Sequence, residues 1–219
     1  MKHIEQFFDR WKTDYDFKTL TAAFASLAVT AIFALYNGFL GLSHASLWHG
    51  SICVYYLVLV VLRSALISAR NRSPGKSDPV RFQKKVYAAA AAGLFFLNLC
   101  LVVPVSLMVV RQKPVNLSLI PAIAMAAYTT YKVTMASIHL KRRKRTPNSL
   151  IRLLRTISFI DALVSILSLQ NTLIMVNMKS ESSDMLTLSA ITSAAILLAV
   201  LAMSIAAMKK GADDLKRKE

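Results

Sequence analysis

The chain alternates between long apolar runs and short polar connectors. A helix needs about 20 mostly apolar residues to cross the hydrocarbon layer of a bilayer. Six windows of this kind lie at roughly 20–42, 47–68, 87–110, 117–140, 150–176 and 186–208. Because backbone groups in lipid must be hydrogen-bonded internally, we expect these runs to be helices. The pattern predicts an all-α, polytopic membrane protein built as a six-transmembrane-helix bundle.

The windows divide the chain into three parts. Residues 1–19 precede the first window, residues 20–208 form the six-helix transmembrane domain, and residues 209–219 form a basic cytoplasmic tail. In the first part, apolar side chains recur at helical spacing at Ile4, Phe7, Phe8, Trp11 and Tyr15. Charged residues lie opposite them, which predicts an N-terminal amphipathic helix on the cytoplasmic leaflet.

Composition and charge support the membrane assignment. The chain has 219 residues, is 55% hydrophobic, and carries 27 Lys and Arg against 11 Asp and Glu, for a net charge of +16. The basic residues lie in connectors between apolar runs and not on the face of a soluble domain, which argues against nucleic acid as a partner. The expected partners are the lipid bilayer itself and anionic lipids at the basic cytoplasmic loops.

The distribution of basic residues sets the orientation. Twenty of them lie before the first window, in the 69–86 and 141–149 loops and at the C-terminus, whereas the opposite connectors hold only Arg111, Lys113 and Lys179. Since positive charge stays in the cytoplasm, both termini are expected inside. The predicted location is the cell membrane, as a multi-pass protein, with the bacterial inner membrane as the expected compartment.

The fifth window contains a carboxylate in an apolar setting. Five of its polar residues share one helix face, namely Ser158, Asp161, Ser165, Ser168 and Thr172. Counted from Leu150 at about 1.5 Å per residue, Asp161 lies roughly 16 Å deep, near the bilayer midplane. It must therefore pair with a cation, accept hydrogen bonds or be protonated.

Two other windows offer partners for Asp161. The second window has one polar face, with His49, Cys53, Tyr56 and Arg63, and the fourth has Tyr128 and Lys132. Lys132 is the first choice of cation for Asp161, and Arg63 is the second. The candidate transport or ion-pair site consists of Asp161, Lys132, Arg63, Ser158, Ser165, His49, Cys53 and Tyr56.

The chemistry of this set leaves alternatives open. An ion pair that fixes helix register explains Asp161 as well as a transport role does. His49 and Cys53 have the i,i+4 spacing of a soft-metal site, but two ligands are too few, so we predict no metal and no cofactor. No nucleophile and base are recognisable together, and we do not expect an enzyme.

Two stretches resemble the cation diffusion facilitator family. "GLSHASLWHGSICVYYLVLVVLRSALI" (Gly41 to Ile67) is similar to its second-span region, and "KRRKRTPNSLIRLLRTISFIDALVSIL" (Lys141 to Leu167) to its basic loop and fifth span. The resemblance implies a six-span fold with metal ligands in pairs four residues apart on the second and fifth helices. Asp161 matches one ligand, but the other positions fall on Ile157, Ile52 and Tyr56. We also expect no counterpart of the cytoplasmic metal-binding domain usual in that family, so the resemblance implies the fold and not the metal transport.

Two functions follow from these observations. The first is a small secondary transporter or a cation- or proton-responsive permeation protein with Asp161 at mid-membrane. The second is a non-catalytic membrane subunit, or a small-solute binding or interaction partner of a larger complex. A homodimer or larger membrane complex is expected from the small residues on helix faces and from the family resemblance.

Overall fold

The computed structural model describes the backbone of residues 15–43, 47–75, 77–111, 119–142, 148–177 and 183–216. Side chains are described over 24–43, 47–73, 77–106, 122–138, 148–170 and 187–216, and also at 75, 172 and 173. Within these ranges the fold is entirely helical. Seven α-helices and one short 3-10 helix follow one another along the chain.

The α-helices are numbered in chain order. They are α1 (Tyr15–Ser43), α2 (Leu47–Arg72), α3 (Pro79–Cys100), α4 (Val102–Arg111), α5 (Leu119–Arg142), α6 (Ser149–Asn177) and α7 (Ser183–Lys216), and a 3-10 turn covers Ser73–Gly75 between α2 and α3. The prediction of an all-α fold is confirmed for the residues that the structure describes.

Four helical segments are long and apolar enough to cross a membrane. They are Phe24–Ser43 in α1, Leu47–Arg72, Pro79–Ser106 across α3 and α4, and Thr187–Lys216 in α7. These segments indicate a membrane protein. Helices α5 and α6 cover the fourth and fifth predicted windows but are not among the four. The count of six spans therefore stays a prediction.

The third span begins earlier than its predicted window. Helix α3 starts at Pro79, and the Asp78 carboxylate caps it by accepting a 2.9 Å hydrogen bond from the Arg81 amide. Proline is tolerated at the first helical position, where an amide donor has no partner within the helix. The polar residues of the predicted 69–86 loop thus belong mostly to helix ends, and only a short turn remains between α2 and α3.

The boundary between α3 and α4 lies at Leu101, three residues before Pro104. Proline has no amide N–H, so Pro104 cannot donate to the carbonyl of Cys100, and its ring crowds that carbonyl. The amide of Val105 still donates to the Leu101 carbonyl at 3.3 Å. Pro104 therefore interrupts the helix without ending it, as expected for a proline inside a span.

The two ends of the chain differ from the predicted division in different ways. The predicted tail from 209 onward is helical as far as Lys216 and continues α7. A Cβ at Gly211 would come within 3.0 Å of Ala88 Cα and 3.1 Å of the Tyr87 ring, so α7 and α3 lie in close contact there. At the other end, residues 1–14 of the predicted amphipathic helix lie outside the described residues.

The helices pack chiefly in three pairs, α1 with α2, α5 with α6, and α3 with α7. Helix α6 is the central element, because it also contacts α2, α3 and α7. Leu153, Ile157, Ile160 and Val164 on α6 are fully buried, and so is most of the serine-bearing face. A helix buried on nearly all sides is shielded from lipid. This position explains how α6 can carry ionisable residues.

Candidate functional site

Asp161 of α6 is paired with two cations from two other helices. Its Oδ2 lies 2.8 Å from Arg63 Nη2 of α2, and its Oδ1 lies 2.5 Å from Lys132 Nζ of α5. All three side chains are buried, with exposures of 1% for Asp161, 3% for Arg63 and 7% for Lys132. The sequence favoured Lys132 and placed Arg63 second; the structure brings both to the carboxylate. We call these three residues the charge cluster.

Helix α1 holds the other side of the Arg63 guanidinium. Arg63 Nη1 donates to Thr30 Oγ1 at 3.0 Å and to Ser26 Oγ at 3.2 Å. Ser26 and Thr30 are one helical turn apart, so both hydroxyls face α2. A planar guanidinium presents donors in a fixed fork, and here the fork joins α1 to α6 through α2. Arg63 thereby connects the α1–α2 pair to the α5–α6 pair.

Aromatic rings surround the Lys132 ammonium. Its Nζ lies 4.6 Å from the centroid of the Tyr56 ring and 4.5 Å from that of Tyr128. Phe33 of α1 stacks on Tyr128 at 3.7 Å between centroids and meets Tyr56 edge-on at 5.4 Å. The electron-rich faces of the tyrosines stabilise the cation. The three rings also close one side of the charge cluster with apolar surface.

Hydroxyl groups tie the carboxylate-bearing turn of α6 to its neighbours. Ser165 Oγ lies 2.8 Å from the Asp161 carbonyl and 3.1 Å from Tyr56 Oη, and Thr129 Oγ1 donates to the Ser165 carbonyl at 3.2 Å. These contacts join α2, α5 and α6 within one turn of Asp161. The backbone that carries the carboxylate is therefore held from two sides.

The charges at the cluster do not balance. Asp161 is the one carboxylate in residues 24–43, 47–72, 119–142 and 149–177, the segments that build the surroundings of the cluster. With both cations protonated, the cluster carries one excess positive charge. A buried charge without a compensating partner is costly in a low-dielectric interior. The site therefore favours a negative group more than a second cation.

A small cavity lies against the charge cluster. Its volume is about 20 Å³, and its walls include Ser26, Val29, Arg63, Lys132, Ser158 and Asp161, with further side chains from α5. Ser26, Val29 and Ser158 are partly exposed, whereas the cluster residues are buried. A cavity of this size has room for about one water molecule. The polar groups of the cluster thus face a space that a small particle can occupy.

The structure gathers most of the predicted site but leaves two members elsewhere. Ser158 lies 3.5 Å from Arg63 Nη2, and Tyr56 and Ser165 border the cluster through their shared contact. His49 and Cys53 lie toward the other end of α2. The His49 Nδ1 is 3.2 Å from Asn37 Oδ1, and Cys53 Sγ would lie 3.1 Å from a Cβ at Gly38. These two residues pack against α1 and do not touch the charge cluster.

The described part of the chain contains no cluster of potential metal ligands. Nowhere in it do three or more His, Cys, Asp or Glu side chains come together as a potential metal site. His49 and Cys53 gain no third ligand of this kind. At the position of the missing ligand beside Asp161, Ile157 is fully buried.

Several polar residues inside the spans were not anticipated. Ser26 and Thr30 hold Arg63, and a second network joins three helices, in which Tyr55 Oη donates to Asn98 Oδ1 at 3.1 Å and Asn98 Nδ2 donates to Ser204 Oγ at 2.7 Å. The roles of Ser26 and Thr30 have a trace in the sequence, because Ser26, Thr30 and Asn37 recur at intervals of four and seven in an apolar run. That spacing marks one helix face.

Comparison with protein-family models, curated proteins and solved structures finds no match for this chain.

Proposed function

We propose that the chain is a six-span integral membrane protein with both termini in the cytoplasm, and that it works as a small secondary transporter. In this arrangement α5 and α6 are the two spans that complete the bundle. Support comes from the connectors, because connectors rich and poor in basic residues alternate along the chain, which puts the positive charge on one side of the membrane. The basic loops then face the anionic lipids of the cytoplasmic leaflet.

The observation that carries the proposal is the placement of the charge cluster at the boundary between two helix pairs. Arg63 belongs to the α1–α2 pair, whereas Asp161 and Lys132 belong to the α5–α6 pair. The closest packing lies within the pairs, and α1 has no extensive backbone contact with α5. An ion pair at such a boundary acts as a latch between two units that can move as rigid bodies.

The latch has a defined way to open. Protonation of Asp161 would remove the negative charge that holds both Arg63 and Lys132, and the two cations would then repel each other. A ligand that competes for one of the cations would weaken the latch in the same way. Either event favours separation of the helix pairs next to the cavity. This coupling of charge to helix movement is what a secondary transporter requires.

Flux measurements test this proposal. The native protein, Asp161→Asn and Asp213→Asn are reconstituted in proteoliposomes, and proton and solute fluxes are recorded across a panel of ions and small metabolites. Asp213 is an exposed carboxylate on α7, so its variant controls for the loss of one acidic group. We expect flux from the native protein and from Asp213→Asn, and loss of flux in folded Asp161→Asn. Absence of flux from the native protein across the panel contradicts the proposal.

A second function is favoured by one feature of the same cluster. Both oxygens of Asp161 are already occupied by cations, and the adjoining cavity is small. A saturated ion pair of this kind also suits a static joint in a non-catalytic membrane subunit, where it fixes helix register. In that case native protein gives no flux, while Asp161→Asn lowers stability and a companion Lys132→Met change restores part of it.

A further inference from the structure

We infer that the cavity beside the charge cluster is a binding site for a small monovalent anion of halide size. The inference rests on the proposed function, because it names the ligand class of the same cluster. The charge cluster holds two buried cations and one carboxylate, so it carries one excess positive charge. An anion bound in the cavity would neutralise this excess charge.

The cationic side chains that would hold an anion line the cavity. Lys132 gives one N–H to Asp161 and carries two more, and the Arg63 Nε is buried without a hydrogen-bond partner among the described residues. Both side chains line the cavity together with Ser26 and Ser158, and because the Ser158 hydroxyl already donates to the Leu154 carbonyl at 3.0 Å, the cationic side chains supply the donors. Cationic N–H groups and hydroxyls form strong, short hydrogen bonds to anions. The site thus offers charge and directional donors together.

The size of the cavity limits the choice of anion. At about 20 Å³ it admits a particle close to a water molecule in size, such as a halide ion, and it has no room for phosphate or for an organic acid. A cation of the same size would meet the Lys132 and Arg63 charges directly. The single negative charge of the carboxylate does not offset the two positive charges of Lys132 and Arg63 that such a cation would meet.

Chloride binding by the full-length protein in zwitterionic lipid vesicles tests the site. Line broadening of the chloride NMR signal is titrated at constant ionic strength against sodium gluconate, with bromide as competitor. We expect saturable broadening that bromide displaces and gluconate does not. Lys132→Met should weaken binding about tenfold or more, because it removes the excess charge, and Lys85→Met on the exposed part of α3 should leave binding unchanged.

Two further variants keep the test independent of stability. Val29→Phe fills the cavity from a partly exposed position and leaves every charge in place, so binding should be lost in a folded protein. Asp161→Asn removes the competing negative charge and, if folded, should tighten binding about tenfold or more. Broadening that does not saturate, or that is equal in the native protein, Lys132→Met and Val29→Phe, overturns the inference.

The outcomes also separate this inference from the proposed function. Saturable chloride binding that depends on Lys132, with no flux of any solute, supports the anion site and contradicts the transporter. Flux that depends on Asp161, with no chloride binding at the cluster, supports the transporter and overturns the anion site.

Discussion

Phe33 of α1 lies flat on Tyr128 of α5, with 3.7 Å between ring centroids and 14° between ring planes. The backbones of these two helices make no extensive contact, so the stacked rings are the main described link between them near the charge cluster. Tyr128 in turn places its ring face against the Lys132 ammonium. The stack therefore positions the aromatic wall of the charge cluster.

Removal of this stack should destabilise the bundle. Phe33→Ala deletes a buried ring and leaves a cavity, which costs about 3–5 kcal/mol in the free energy of unfolding. Phe39→Ala is the matched control, because Phe39 lies on the same helix and is 67% exposed. Its variant should stay within about 1 kcal/mol of native protein. Unfolding in mixed micelles measures both, and equal effects would contradict the assigned role of Phe33.

The charge cluster predicts an order of severity among its own variants. Lys132→Met leaves a neutral Asp161–Arg63 pair, whereas Asp161→Asn leaves two buried cations without a carboxylate. We expect Asp161→Asn to lose about 3–5 kcal/mol of stability and Lys132→Met to lose clearly less. The double variant should be more stable than Asp161→Asn alone, since one of the two uncompensated charges is gone.

Thermal unfolding of the four proteins forms a double-mutant cycle that measures this coupling. Strictly additive effects would show that Lys132 and Asp161 do not interact in the folded protein. A larger loss in Lys132→Met than in Asp161→Asn would contradict the charge count on which the order depends.

The close approach of α1 and α2 gives a prediction about two glycines. A Cβ at Gly41 would come within 2.9 Å of the Gly50 amide nitrogen, whereas a Cβ at Gly50 would meet nothing within 4 Å. Gly41→Ala should therefore force the two backbones apart and cost about 1–3 kcal/mol. Gly50→Ala should be neutral or stabilise by up to about 1 kcal/mol, because alanine favours the helix.

The two glycine variants differ by the same single methyl group, so each is the control of the other. Melting temperature in one detergent compares them directly. If Gly50→Ala is the more damaging of the two, the packing between α1 and α2 differs from the one described above.

The hydrogen bonds of Asn98 predict a further loss of stability. Asn98→Leu keeps side-chain size but removes the acceptor of the buried Tyr55 hydroxyl, which costs about 1–3 kcal/mol, whereas the Ser204 hydroxyl keeps its bond to the Val200 carbonyl. Ser137→Ala is the control, because that hydroxyl is exposed and, among the described residues, donates to the Val133 carbonyl of its own helix. Denaturant titration should show near-native stability for Ser137→Ala. A neutral Asn98→Leu would show that α2, α3 and α7 do not depend on this amide.

The sequence allowed prediction of the helices and of the ion-pair chemistry, for a physical reason. Spans follow from apolar length, and a carboxylate in an apolar run must find a cation, so Lys132 and Arg63 were both foreseeable partners of Asp161. The double pairing was not foreseeable, because helical spacing gives the face of each residue and not the rotation of one helix against another. The roles of Ser26 and Thr30 depend on that rotation.

The central position of α6 in the bundle could not be predicted from the sequence either. Arg152, Arg155 and Asp161 dilute the apolar character of the fifth window, and hydropathy alone treats such a window as a weak span. In the fold the same residues are sheltered by neighbouring helices, so the low hydropathy reflects position within the bundle. The start of α3 was missed for a related reason, because Asp78 and Pro79 cap a helix whose first turns are polar.

The burial of α6 has a consequence for how the chain is made. A ribosome delivers α1 and α2 to the membrane well before Asp161 is synthesised, so Arg63 enters lipid with only the hydroxyls of α1 for support. In the proposed six-span arrangement, Lys132 and Asp161 then arrive close together, and their mutual pairing would ease the insertion of α5 and α6 as a hairpin. Biogenesis is complete only when Asp161 reaches Arg63. A chain truncated before α6 therefore leaves Arg63 without its carboxylate partner.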